Sequence, residues 1–173
     1  MTQQETCDAP LCARCSTLGK TCCQTTEIYV TPGDIRRIAS QVGGRDFFEY
    51  RSPEDPAYLD QSHDPVWAAH VFRSNGTRRV LRRDTQSNCR FLGANGCHLS
   101  MEVRPLICRL YPYQYTAAGL EQELAPGCPL KLLPMDHTLE QELNMSRQIA
   151  GEWHSLLYAE IRKETDNDCW TDL

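Results

Sequence analysis

Ile35, Ile38, Ala39 and Val42 recur at the three- and four-residue spacing of one helix face, with polar residues between them. Ahead of them Thr31-Pro32-Gly33-Asp34 reads as a capping box with proline in the first helical position, and Gly43-Gly44 closes the run, which predicts a short helix over 32–42. Asp46 to Tyr50 (DFFEY) reads as a further turn or two of helix. The following SPEDPAYLDQSHDP, with three prolines and its acids, reads as loop. In AHVFRSNGTRRVLRRD two β-prone runs flank Ser74-Asn75-Gly76, and Asn-Gly is a strong turn signal, so a hairpin is expected that leads into Cys89. A second hairpin is expected in YPYQYTAAGLEQELAPGCP, turning near Ala118-Gly119 and returning Cys128 to where its first strand began. From about Thr138 to Glu164, Leu139, Leu143, Ile149, Trp153, Leu156, Leu157 and Ile161 outline a long amphipathic helix, with Thr138 and Gln141 as its capping box. Its apolar stripe suits core or a dimer contact better than a cofactor.

These elements define an α+β fold class: a small single domain over residues 1–173, with irregular Cys-rich loops, two short β-hairpins, a short helix near 32–42 and a long C-terminal amphipathic helix. A length of 173 residues with 40% hydrophobic positions suits one modest core.

Composition changes the picture at one residue type. Ten cysteines, about 6% of the chain, exceed ordinary usage but fall below the roughly 8–10% of a short secreted disulfide scaffold. The opening MTQQETCDAP has neither a basic segment nor an apolar one, and no stretch approaches the roughly 18 apolar residues of a membrane span, so a cytoplasmic protein without membrane contact is expected. Thiols are kept reduced there, and a dense cysteine set then points to metal binding or redox chemistry.

The cysteines form two groups around a Cys-free stretch from Gln24 to Asn88: Cys7, Cys12, Cys15, Cys22 and Cys23, then Cys89, Cys97, Cys108 and Cys128, with Cys169 alone near the end. The fold must bring two Cys-bearing regions together. Cys12-Ala13-Arg14-Cys15 has the CxxC spacing that lets two thiolates reach one ion. A thioredoxin-like use of that spacing would need a preceding strand, and none is expected. Cys22-Cys23 places adjacent thiols in different directions, which suits two neighbouring ions or a polynuclear cluster, or one ligand beside a buried thiol. Cys89 and Cys97 flank a glycine-containing loop, and Cys108 and Cys128 each lie beside a proline-rich turn. Eight cysteines fit two four-thiolate sites, or one iron–sulfur cluster plus a second site; zinc and iron–sulfur both accept four thiolates, so the cofactor stays open between them. His98, beside Cys97, reads as an exposed or hydrogen-bonded neighbour rather than a ligand, and the other histidines lack paired ligand spacing. Tyr111, Tyr113 and Tyr115 alternate as strand residues and read as packing. No phosphate loop, GxSxG or HExxH is present, so catalytic residues remain unassigned.

Charge adds a second asymmetry. From Arg73 to Arg109 eight Arg face two acids, a net +6 within a chain of net −5, which leaves −11 elsewhere. Such a stretch can serve an anionic partner, but an acidic chain argues against nucleic acid. The preferred reading is a solvated region whose Arg pair with acids elsewhere or offset thiolate charge, with Arg14, Arg90, Arg104 and Arg109 the best placed in sequence.

CARC followed by CC, TPGDIRRIA, CRFLGANGC, MEVRPLICRLYPY and a final GC, in that order, resemble the YkgJ-type cysteine-cluster family, the CxxCxxCC proteins described as chelating zinc or iron. The resemblance runs from about Cys12 to Cys128, is most specific at Arg104, Pro105, Cys108, Arg109, Tyr111 and Pro112, and leaves the C-terminal helix outside. It implies that the metal ligands are Cys12, Cys15, Cys22, Cys23, Cys89, Cys97, Cys108 and Cys128. Six residues, STLGKT, separate Cys15 from Cys22, a longer gap than the family pattern usually has. Cys7 and Cys169 match no motif position. The family brings no firmly established reaction, although a related cluster accompanies flagellin lysine N-methylases.

Three functions are open to such a chain. An accessory or structural metalloprotein predicts a metal-dependent fold. A metal-dependent enzyme of redox or protein-modifying type, with a protein partner, needs an open coordination position. An anion or nucleic-acid module on the Arg73–Arg109 stretch predicts affinity that falls steeply with salt.

Overall fold

The computed structural model describes residues 10–18 and 21–163. In chain order these form α1 (Leu11–Ser16), α2 (Cys22–Thr25), α3 (Pro32–Val42), β1 (Phe48–Arg51), α4 (Pro65–His70), β2 (Arg78–Leu81), β3 (Leu92–Gly93), β4 (Gly96–Cys97), α5 (Leu106–Leu110), β5 (Tyr113–Thr116), β6 (Gly119–Leu124), α6 (Leu139–Glu142) and α7 (Arg147–Arg162). The strands pair antiparallel as β1 with β2, β3 with β4 and β5 with β6. This is the expected small α+β domain.

Local signals set α3. Asp34 N donates to Thr31 Oγ1 at 2.9 Å while Thr31 N donates to Asp34 Oδ2 at 3.1 Å, and Pro32 occupies the first turn. Gly43, at φ 74°, ends the helix in the left-handed conformation. Ile35 and Ile38 are buried with Ile28, Val30, Phe47, Leu81, Phe91 and Leu99 in one apolar core. A second core holds Tyr29, Trp67, Leu106, Leu110, Tyr113, Leu157, Tyr158 and Ile161. The α5 helix lies between the two, since Ile107 packs against both.

DFFEY forms no further helix. Gly43-Gly44 stops α3, and Phe48–Arg51 becomes β1, paired with β2 in the register Phe48↔Leu81. The first hairpin is also corrected. Ser74-Asn75-Gly76 does turn, with Gly76 at φ 76° and its N–H on Arg73 O at 2.9 Å. The residues before it are helical, however, because Asp64 and Pro65 are an N-cap and first-turn pair: Trp67 N donates to Asp64 Oδ1 at 3.1 Å and α4 follows. The strand after the turn therefore pairs with β1 on one edge and meets Ile28 to Val30 on the other, through Leu81 N to Ile28 O at 2.8 Å and Val30 N to Arg79 O at 3.2 Å.

The β5–β6 hairpin stands where it was expected, with Thr116 opposite Gly119. A second, smaller hairpin lies elsewhere than expected, inside the loop between Cys89 and Cys97, where Gly93 pairs with Gly96. The C-terminal helix is broken into two. Thr138 caps α6 as expected, but Asn144 adopts φ 49° and Ser146 Oγ accepts from Ile149 N at 3.2 Å, which starts α7 afresh. The buried seam of α7 is Ala150, Leu157, Tyr158 and Ile161, whereas Ile149 and Leu156 are exposed. Gly33 admits α7: a Cβ there would lie 2.1 Å from Glu160 Oε1, and Glu160 binds Arg37 Nη1 at 2.6 Å and accepts from Thr31 Oγ1.

The basic stretch is largely paired within the protein, although Arg82 and Arg90 stay exposed. Arg78 pairs with Glu27 at 3.2 Å and lies over the Tyr58 ring, Arg82 and Arg90 pair with Asp46 at 3.2 and 3.4 Å, and Arg73 lies 3.4 Å above the Tyr50 ring. Arg79 is buried, with Nε on Val30 O at 3.3 Å. Among the described residues no helix is long and apolar enough to cross a membrane.

Candidate metal centre

Five short segments carry the eight motif cysteines, and each is held by contacts outside itself. Cys12 and Cys15 share the exposed-to-cavity side of α1, whose Ala13 rests on Gly96: a Cβ there would come within 3.3 Å of Ala13 N, Cα and Cβ. Gly96 also has φ +90°, so both space and backbone call for glycine. On its far side α1 is anchored by Arg14, which donates to Leu132 O at 2.5 Å and pairs with Glu142. Cys22 and Cys23 open α2, where Thr21 N donates to Gln24 Oε1 at 3.0 Å. Cys89 N donates to Cys23 O at 2.6 Å, which joins the two cysteine groups through backbone. Cys97 lies in β4 opposite Leu92.

Cys108 lies in α5, whose Leu106 N donates to the buried Asp34 Oδ1 at 3.1 Å. Ala125 N donates to Pro112 O at 2.7 Å and brings the turn bearing Cys128 back to α5. A Cβ on Gly127 would meet Tyr111 Oη at 2.1 Å, so that glycine makes room for the phenol beside Cys128.

All eight thiols line one cavity of about 260 Å³, together with Arg104, Tyr111 and apolar side chains. Cys12 and Cys22 are exposed at it, Cys89 is buried, and the rest are half-buried. Burial, then neighbouring sulfur charge, pushes up the Cys12, Cys15 and Cys128 thiols, Cys128 to about 12. Cys89 rises to about 11 and Cys108 well above its usual value, chiefly by burial. Cys22 moves the other way, to about 7, because the Cys23 thiol donates to it, and Cys23 is correspondingly raised. Six raised thiols crowded in apolar surroundings carry negative charge readily only against soft cations.

As the side chains stand, no three His, Cys, Asp or Glu residues among those described surround one ion-sized point. The thiols line the walls of a shared space instead. Their chemistry fits zinc or iron–sulfur ligation, and a change of χ1 between staggered wells carries a cysteine sulfur by about 3 Å.

Of the arginines expected near the sulfurs, only Arg104 lines the cavity, where its charge opposes the rise at Cys12. Arg14 and Arg90 are occupied by Glu142 and Asp46, and Arg109 donates to Glu102 O at 2.5 Å and Arg104 O at 2.8 Å. Arg83, not foreseen, opposes the rise at Cys89. His98 is exposed and is not part of the cavity lining, in keeping with a neighbour rather than a ligand. Tyr113 and Tyr115 are packed with the core as expected and also line the cavity, as does Tyr111, whose hydroxyl meets Cys128. Cys7 and Cys169 lie outside the described residues.

A cavity walled by clustered cysteines from five segments is the mark of a metal-binding cysteine-cluster domain. The chain belongs to the CxxCxxCC family: that family's model, described as a "putative zinc- or iron-chelating domain", matches residues 11–129, well over half of the chain. No curated protein and no solved structure is significantly similar to it.

Proposed function

We propose that this protein holds zinc or an iron–sulfur centre on the thiolates of Cys12, Cys15, Cys22, Cys23, Cys89, Cys97, Cys108 and Cys128, in an accessory or structural role within a reducing, cytoplasmic setting. The observation that carries this reading is that all eight line one cavity although they come from five separate segments. The metal, when bound, supplies the positive charge that lets these sulfurs ionise together. The segments it would join are short, six residues in α1, four in α2 and five in α5, too short to persist as isolated helices. Metal binding is then largely folding free energy, about 10–16 kcal/mol for structural zinc in small domains. The internal pairing of the Arg73–Arg109 stretch supports a scaffold role for it in preference to an anion surface.

The test is elemental analysis of protein purified without air, followed by chelation. Stoichiometric zinc, or iron with acid-labile sulfide, together with a melting temperature that drops on chelation, is expected. Metal-free protein with an unchanged melting temperature and far-UV spectrum overturns the reading. A metal-dependent enzyme is the second reading, favoured by the exposure of Cys12 and Cys22. It predicts that an added ligand such as cyanide changes the spectrum of the bound metal.

A further inference from the structure

The eight thiols line one cavity but do not share one environment. Cys89 belongs to the apolar core under α3, and Cys23, Cys97 and Cys108 pack against that same core. Among the described residues, Cys12, Cys15, Cys22 and Cys128 are not part of it. Backbone contacts follow this line. Cys89 N binds Cys23 O at 2.6 Å, and Cys89 and Cys97 flank the β3–β4 hairpin, where Leu92 pairs with Cys97. Cys12 and Cys15 are instead one turn apart on α1.

Consecutive residues on a helix point about 100° apart, so Cys22 and Cys23, adjacent in the first turn of α2, can each serve a different set.

We propose that the cluster consists of two tetrathiolate sets, an inner one of Cys23, Cys89, Cys97 and Cys108 and an outer one of Cys12, Cys15, Cys22 and Cys128, each holding its own metal centre. This rests on the metal-binding reading above and deepens it. Four thiolates satisfy zinc or one iron–sulfur cluster, so eight make two complete sites without a histidine. The sets meet at Cys22-Cys23, where the adjacent sulfurs touch. The inner centre is enclosed by apolar side chains, and the outer one is open at Cys12 and Cys22.

The experiment measures metal per chain, by elemental analysis and native mass spectrometry, in anaerobically purified wild type, Cys12→Ser, Cys128→Ser, Cys12→Ser/Cys128→Ser, Cys89→Ser and Cys12→Ser/Cys89→Ser. The three outer-set variants should each lose the same fixed part of the metal and retain the rest. Cys89→Ser should retain the complementary part, and the mixed pair should retain none. A chelator at low concentration should remove the outer part first from the wild type. Complete loss of metal in Cys12→Ser or Cys128→Ser, from protein that still shows the wild-type far-UV spectrum, overturns the partition. So does a larger loss in their double variant than in either single one. If Cys89→Ser does not fold, the outer variants alone decide. A wild type with no metal fails the parent reading instead, and that result is distinct from one in which the wild type is loaded and its variants empty all at once.

Discussion

Asp34 on α3 accepts the backbone N–H of Leu106 at 3.1 Å, so a carboxylate seventy-two positions away caps the helix that carries Cys108. The same carboxylate closes its own helix's capping box and pairs with Arg37 at 2.6 Å, all in full burial. One side chain thus couples the TPGD turn to a motif cysteine. Asp34→Ala should cost about 1–3 kcal/mol, since it takes one of two carboxylates from Arg37, which keeps Glu160, and leaves α5 without its cap. Urea denaturation measures that, and faster alkylation of Cys108 under native conditions reports the loosened helix. An unchanged alkylation rate would show that Asp34 does not hold α5.

Gly33 and Glu160 test how α7 docks. Gly33→Ala places a methyl on the Glu160 carboxylate and should expel it from Arg37 and Thr31, at a cost of about 1–3 kcal/mol. Gly33→Ala/Glu160→Ala should be less destabilised than the sum of its single variants, because the clash and the lost contact are one event. Additive effects in a thermal melt would refute this.

Gly96 tests the seat of the CxxC helix. Gly96→Ala meets both the Ala13 backbone and a left-handed φ, which predicts a loss of about 1–3 kcal/mol and weaker metal retention. Gly44→Ala, with open space around it, serves as the control and should stay within about 0.5 kcal/mol of wild type. Equal melting temperatures for the two variants would remove the argument.

The pH dependence of the chelator-stripped protein follows from the sulfurs. Cys89 is raised in the fold to about 11 from an ordinary value of 9.0, so its contribution to stability is complete below pH 9 and lost as pH rises through 11. Cys108 acts in the same direction. Cys22, held near 7, contributes stability that is complete above 9 and lost as pH falls through 7. Melting temperature in the stripped protein should therefore fall between pH 9 and 11. Metal-loaded protein, whose sulfurs are already thiolates, should be flat across that window, and a parallel fall in both samples would contradict the assignment.

Some of this was legible in residues alone. Thr31 to Asp34 announce α3 because capping is a contact between residues three apart, and the same holds for Thr138 and Gln141. The β5–β6 hairpin was legible because its turn and register are local. The Ser74 to Gly76 turn was visible too, yet its strand found another partner. Asp64 and Pro65 had already committed the preceding residues to helix, and a free strand edge pairs with whatever the fold brings to it. Asn144 broke the last helix within an apolar pattern that runs on past it, because a left-handed residue and a serine cap outweigh periodicity over one turn.

For the site, the motifs of the chain, by their resemblance to a known family, singled out the eight sulfurs that line one cavity. The chain by itself determined that they must be gathered from two distant regions. Only the tertiary structure decided how: that Cys89 binds Cys23 through backbone, that Arg104 and Tyr111 face the sulfurs while Arg14, Arg90 and Arg109 turn elsewhere, and that Asp34 holds the Cys108 helix. Most of those are contacts between residues tens of positions apart, and their partners are selected by packing and burial, which no local pattern encodes.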